Sequence, residues 1–82
     1  MPFVSEEEVF NLKNSLPKQL GEAIQLARKK CNMTQIHLAE LTQKDRQYIY
    51  KIEKGVVSPN IGTIGIIAKA LGITISELVE NL

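Results

Sequence analysis

The residues best suited to chemistry in this 82-residue chain are hydrogen-bond donors and cations rather than nucleophiles. The segment 45–55 reads DRQYIYKIEKG, and its two isoleucines lie three residues apart, as on the buried face of a helix. At about 100° per residue, the opposite face then carries donors, cations and one aromatic ring, but no carboxylate. The residues on that face are Arg46, Gln47, Tyr50, Lys51 and Lys54.

A helix face of this kind suits the edges of nucleic-acid bases. Arginine pairs well with guanine, glutamine with adenine, and lysine with phosphate or guanine. An ordinary surface helix usually intersperses glutamate among its exposed residues, whereas this predicted face has none. The pattern therefore predicts contact with nucleic acid.

The composition excludes several other kinds of site. A single cysteine rules out an internal disulfide framework, and Cys31 and His37 are the only soft metal ligands, where structural zinc needs about four. The sequence has no Ser/His/Asp set, no paired carboxylates and no glycine-rich phosphate loop. We therefore expect no catalysis, no metal site and no cofactor. Cys31 continues the apolar positions Leu20, Ile24 and Ala27, so we expect a small buried hydrophobe rather than a redox sensor. We expect His37 to be exposed, with a titratable switch near DNA as the alternative.

Length and charge limit the class of protein further. Eighty-two residues allow one domain, and no apolar stretch approaches the roughly 20 residues that span a bilayer. Three glutamates, at 6–8, stand where a secretory signal would have its apolar core. The formal net charge is +1, yet residues 28–54 hold seven basic groups against three acidic ones, which suits either a polyanion or a solvated face. We expect a soluble, cytoplasmic protein.

Helix signals recur along the chain, and no strand alternation interrupts them. Apolar periodicity predicts a helix from Gln19 to Lys30. Ser5 with Glu8 resembles a capping box, which predicts an earlier helix that ends at or before Pro17. The prediction is an all-α fold, with a helical extension at 1–16 and a five-helix domain at 17–82. Four further helices are predicted to begin after the N-cap residues Thr34, Asp45, Asn60 and Thr74.

The two short helices at about 34–41 and 45–54 are joined by a loop of about three residues. So short a loop between helices of two to three turns forces a steep crossing, which is the helix-turn-helix geometry. A close crossing needs a small residue at the contact, and Ala39 supplies it.

In order and spacing, the strings MTQIHLAE (33–40), DRQYIYKIEKG (45–55) and AKALGITISEL (68–78) resemble the lambda-repressor-like (Cro/CI-type, XRE) helix-turn-helix family. The resemblance covers residues 19–80. It implies a sequence-specific transcriptional regulator that binds double-stranded DNA as a homodimer on a pseudo-palindromic operator. The turn without glycine, followed by D-R-x-Y-I, is similar to the controller proteins of restriction–modification systems, a subgroup of this family.

The resemblance also implies roles for individual residues. Base contacts are expected from Arg46, Gln47, Tyr50 and Lys51. DNA-backbone contacts are expected from Thr34, Gln35, Lys44, Lys54, Ser58 and Asn60. Gln35 suits such a contact because the exposed N–H groups at a helix N-terminus favour an anion. Arg28 and Glu53 match a family ion pair that joins the first helix to the end of the recognition helix.

Three features depart from the family pattern. Gln43 and Lys44 stand where the motif turn usually has glycine and an apolar residue, and a non-glycine residue at positive φ costs roughly 1–2 kcal/mol. We therefore expect a differently shaped turn. Gly62 and Gly65 either permit close approach of another backbone or are merely tolerated in the fourth helix. The extension 1–16 is a dimer contact, a cover for the core or a frayed tail.

Three functions remain open from the sequence. The first is an autorepressor or controller-like regulator, and the second, of the same class, is an antitoxin or prophage repressor. The third is a protein-interaction module that keeps the fold without binding DNA. Arg46, Gln47 and Lys51 argue against the third, because a retired DNA-binding surface should accumulate acidic residues. None of the three involves a membrane or a small-molecule ligand.

Overall fold

The computed structural model describes residues 2–82, which form five helices and no strand. The predicted all-α, five-helix class is confirmed. None of these helices combines the length and the apolarity that crossing a membrane requires. Their bounds are Glu6–Lys30 (α1), Gln35–Thr42 (α2), Arg46–Lys54 (α3), Ile61–Ala70 (α4) and Ile75–Val79 (α5).

The helices begin where the N-cap residues predict. The side-chain oxygens of Thr34, Asp45 and Asn60 each accept a bond from the backbone N–H three residues on, at 2.8–3.0 Å. Thr74, the fourth predicted N-cap residue, opens α5 and forms a capping box with Glu77. These bonds satisfy N–H groups that have no partner inside the helix, which fixes where each helix starts.

Helix α1 is longer than the sequence predicts, because it runs through Pro17 without a break. The expectation of a separate helix ending at Pro17 is therefore wrong, although the extension is helical. Proline lacks an N–H, so the carbonyl of Lys13 loses its helical donor; Lys13 is exposed, and water can replace that bond. At the tip of α1, Ser5 and Glu8 form the predicted capping box, and hydrogen bonds from Ser5 lower the pKa of the Glu8 carboxyl.

Helix α1 ends at Lys30, and Cys31, the C-cap residue that follows, is exposed, so the prediction of a buried hydrophobe is wrong. Residue 31 continues the apolar spacing of α1 in the sequence. It is exposed because it lies at the end of the helix, where the chain leaves the buried face. Asn32 takes a left-handed conformation with φ 56° and turns the chain away. His37 is exposed, as expected.

The core forms where α1 and α2 pack against α3, with α4 and α5 completing it. The predicted inward positions Ile49 and Ile52 are buried, which confirms the orientation of α3. Burying one such side chain contributes about 1.5–3 kcal/mol, so five of them are a large share of the core of so small a chain. The largest fully buried side chains are Ile24, Leu38, Ile49, Ile52 and Ile67.

The turn between α2 and α3 keeps a left-handed residue although no glycine is present. Gln43 has φ 56° and ψ 37°, so the expectation of a differently shaped turn is wrong. The Gln43 N–H donates to the carbonyls of Ala39 and Glu40, and the Lys44 N–H donates to Ala39 at 2.9 Å. These bonds satisfy the last carbonyls of α2 and offset the conformational cost at Gln43.

Helices α1 and α3 approach so closely that only glycine fits at their crossing. A Cβ atom on Gly21 would lie 2.3 Å from the carbonyl oxygen of Ile52 and 2.7 Å from that of Glu53. Gly62 and Gly65 are different, because a Cβ on either would make no contact shorter than 3.4 Å within the described chain. The close approach that requires glycine is therefore at Gly21 rather than at Gly62 or Gly65, and the sequence pattern does not reveal it.

We expect Gly21→Ala to lower the free energy of unfolding by about 3 kcal/mol, because α1 and α3 must move apart to admit the methyl group. Gly65→Ala is the matched control, since its methyl group would meet Ile75 Cδ1 at an ordinary 3.5 Å. That control should gain up to about 1 kcal/mol from the higher helix propensity of alanine. Urea unfolding followed by circular dichroism measures both; equal effects would contradict the close crossing.

Candidate nucleic-acid interface

One side of α3 carries the side chains that the sequence assigns to base contacts. Ile49, Ile52 and Glu53 are buried, so the other side of the helix faces away from the core. Tyr50 is 38% exposed, and its neighbours on that side are exposed as well. We call this surface the outer face of α3; its residues are Arg46, Gln47, Tyr50, Lys51 and Lys54.

Tyr50 lies between two cations on the outer face of α3. The guanidinium carbon of Arg46 and the ammonium nitrogen of Lys54 are each 5.7 Å from the centroid of the Tyr50 ring. Both pairs have the i, i+4 spacing that places side chains side by side on a helix, so the sequence held a signal for them. Cation–π attraction at this distance favours a common orientation of the three side chains along the helix.

The charge on the outer face of α3 is positive. Within this described helix the single carboxylate, Glu53, is buried, so no acidic side chain offsets Arg46, Lys51 and Lys54. Lys44 adds a cation just before the helix, with its ammonium group 5.5 Å from the Tyr48 ring. Such a surface can release counterions from a phosphate backbone, which is the main source of non-specific affinity for DNA.

The residues expected to contact the DNA backbone lie in different environments. Thr34 and Asn60 are exposed, and their side-chain oxygens cap α2 and α4. Gln35 is half-buried, and its side-chain amide donates to Glu53 at 3.0 Å. Ser58 is exposed and lines a groove that contains no residue of α3. The structure therefore places Lys54 on the outer face of α3 and Lys44 just before that helix, and it places Ser58 beside other elements.

A buried ion pair holds α3 against α1. Arg28 donates from Nε to Oε2 of Glu53 at 2.6 Å and from Nη2 to Oε1 at 3.0 Å, and both residues are less than 10% exposed. The Nη1 group of Arg28 donates to the carbonyl of Met33 at 2.7 Å. With the bond from Gln35, the Glu53 carboxylate connects α1, α2 and α3.

Two positioning residues carry no clear signal in the sequence. The bond from Gln35 to Glu53 spans 18 residues, and neither its spacing nor its residue types predict it. The close approach at Gly21 depends on the packing of two separate helices. Together with Arg28, these residues set the orientation of the outer face of α3 relative to α1 and α2.

Comparison with known families and curated proteins gives two matches. The sequence model of the family HTH_3, described as helix-turn-helix, matches residues 24–78. An immunity repressor protein of Bacillus phage phi105 is 37% identical over 60 residues, which are 73% of this chain and 42% of the phage protein. The chain thus spans less than half the length of that curated relative.

Solved structures resemble the described chain over most of its length. The restriction-modification controller protein C.AhdI from Aeromonas hydrophila superposes with a TM-score of 0.75 and 28% identity, covering 78% of this chain and 97% of that one. The clp gene regulator ClgR from Corynebacterium glutamicum gives a TM-score of 0.78 at 23% identity, covering 79% and 69%. The second likeness shows the fold alone.

We expect Arg28→Ala to lower the free energy of unfolding by about 3–5 kcal/mol, because it leaves the buried Glu53 carboxylate without its main partner. Arg46→Ala is the control, since exposed substitutions of this kind usually change stability by less than about 0.5 kcal/mol. Thermal unfolding of both variants makes the comparison. An unchanged melting temperature for Arg28→Ala would contradict a structural role for the pair.

Proposed function

The chain belongs to the HTH_3 family of helix-turn-helix proteins, a family of regulators rather than enzymes, and on this basis we propose that it is a sequence-specific DNA-binding regulator of transcription. The observation that carries the proposal is the outer face of α3, where donors and cations are exposed and the carboxylate of Glu53 is buried. A helix with this surface fits a major groove about 12 Å wide, in which base edges present acceptors and donors.

In the proposed complex the outer face of α3 lies in the major groove. Arg46, Gln47 and Lys51 contact base edges, and Tyr50 lies against the bases or the sugar–phosphate backbone. Gln35 reaches a phosphate from the start of α2 while its bond to Glu53 fixes its side chain. The other proposed backbone contacts are Thr34, Lys44, Lys54, Ser58 and Asn60.

We further propose that two copies bind a pseudo-palindromic operator with half-sites about one helical turn apart. A dimer on its own promoter or a neighbouring one represses by excluding polymerase, and a controller-like protein can also activate. In this proposal the protein acts in the cytoplasm, where the DNA is, and it binds DNA without a cofactor. The likeness to the controller C.AhdI supports the controller-like form.

A second candidate of the same class is a prophage repressor or an antitoxin. The 37% identity to the phage phi105 immunity repressor favours the prophage form. The candidate of another class is a protein-interaction module that keeps the fold without binding DNA.

DNA binding and the interaction module differ in their response to salt. We expect affinity for mixed-sequence duplex DNA to fall with salt, with a log–log slope of about −0.9 for each phosphate contacted and several contacts per dimer. Fluorescence anisotropy with a labelled duplex at a series of salt concentrations measures the slope. Undetectable binding, or binding that does not change with salt, would favour the interaction module.

The assignment of Arg46 to a base is a separate prediction. Arg46→Ala should cost about 1–3 kcal/mol of affinity for the preferred site and relax the preference at one base pair per half-site. Lys29→Ala, at the exposed end of α1, is the control and should leave the preference unchanged. Site selection from a random duplex pool, followed by titration of single-base variants, tests this. An equal loss on every variant would make Arg46 a phosphate contact.

A further inference from the structure

The first half of α1 projects from the rest of the protein. Every residue from 6 to 16 is exposed, whereas Leu20, Gly21 and Ile24, farther along the same helix, are buried. The described chain extends 41 Å along its longest axis but only 23 and 20 Å along the other two. Residues 6–16 are called the arm from here on.

The arm carries an apolar stripe that continues the buried face of α1. Val9, Leu12 and Leu16 follow helical spacing and lie on the same side as Leu20, which is in the core. The three arm residues are 39%, 48% and 41% exposed. Within residues 2–82, the stripe therefore keeps the pattern of a buried helix face while each of its side chains stays nearly half exposed.

An apolar groove lies beside this stripe. Leu12 and Leu16 of the arm form one wall, and Ile64, Val79 and Leu82 line the remainder together with the 58–59 turn. The groove is open to solvent and has a volume of about 620 Å³. The stripe and the groove thus form one continuous surface of the chain. A two-fold dimer requires such a surface, because the same patch of each copy must contact that patch on the other copy.

The chain exposes more surface than a compact monomer of its mass would. The described chain exposes 5876 Å², whereas a compact monomer of 9.2 kDa exposes about 4,900 Å². The excess of about 1,000 Å² is comparable to the roughly 800 Å² that each partner buries in a standard interface. The radius of gyration is 13.4 Å, against about 11.7 Å for a compact chain of this length.

The charges on the arm favour an antiparallel arrangement of two arms. The first turn of α1 carries Glu6, Glu7 and Glu8, and Lys13 lies farther along, in the wall of the groove. When two arms cross in opposite directions, the acidic turn of one approaches Lys13 of the other. A parallel arrangement would instead bring the two acidic turns together.

We propose that the arm and this groove form the interface between two copies of the chain, with each apolar stripe packed into the partner's groove. The proposal rests on the homodimer proposed above and names its surface. A second groove, between α1 and α5, is the competing site, and Leu26 lies in its wall. Its lining includes Glu22, Lys30 and Glu77, whose charges a close-packed interface would have to desolvate.

Sedimentation equilibrium without DNA tests the interface on the full chain. Leu12→Glu introduces a charge into the arm stripe, and Leu26→Glu makes the same change on the same helix in the wall of the competing groove. Both leucines are about half exposed, so neither substitution disturbs the core, and circular dichroism melts verify the fold of each variant.

We expect the unaltered chain to show a monomer–dimer equilibrium that Leu26→Glu leaves unchanged. Leu12→Glu should raise the dimer Kd about thirtyfold or more, because each change at an interface centre occurs twice in a two-fold pair. A wild-type chain that stays monomeric at all concentrations would overturn the proposal and leave the stripe to another occupant. Dimers that survive Leu12→Glu, or that only Leu26→Glu dissociates, would overturn it as well.

The same samples separate this inference from the proposed function. Salt-dependent binding of a monomeric Leu12→Glu variant to a half-site duplex would support DNA binding and the arm interface together. If the wild-type chain forms a dimer that Leu12→Glu dissociates, but the chain binds no DNA, the proposed function is contradicted and the proposed interface is not. If the wild-type chain is a monomer that binds DNA, the proposed interface is contradicted and the proposed DNA binding is not.

Discussion

The carboxylate of Glu53 is the group on which the arrangement of the motif depends. One of its oxygens accepts from Arg28 at 2.6 Å, and the other accepts from Arg28 and Gln35 at 3.0 Å each. Three helices therefore meet at one buried carboxylate of α3, which accepts bonds from one residue of α1 and one of α2. Burying a charge is unfavourable unless it is paired in this way, so α3 is stable in one orientation relative to α1 and α2.

The parts of the fold that could be predicted from sequence are those fixed by nearby residues. Each N-cap bond joins residues three apart, so Thr34, Asp45 and Asn60 predict their helix starts correctly. The burial of Ile49 and Ile52 follows from periodicity alone, and with it the composition of the outer face of α3. The contacts of that face with DNA remain a prediction.

The features that the sequence did not predict depend on solvent exposure or on distant contacts. Pro17 is tolerated inside α1 because the turn before it is open to water, and periodicity cannot show that. Cys31 continues the apolar period but lies at the helix end, where the chain turns away from the core. Gly21 matters only because the carbonyls of Ile52 and Glu53 come within 3 Å of where a Cβ would be.

The continuity of α1 has a consequence for how this chain can vary in length. Leu16 and Gly21 lie five residues apart on one uninterrupted helix, so the residue count between them fixes the angle between the apolar stripe and the α3 crossing. Inserting one residue there would rotate the stripe by about 100° and move it by about 1.5 Å. Inserting seven would return it to within about 20° of its present side. An insertion that keeps this angle must therefore be close to a whole number of helical turns, such as seven or eleven residues.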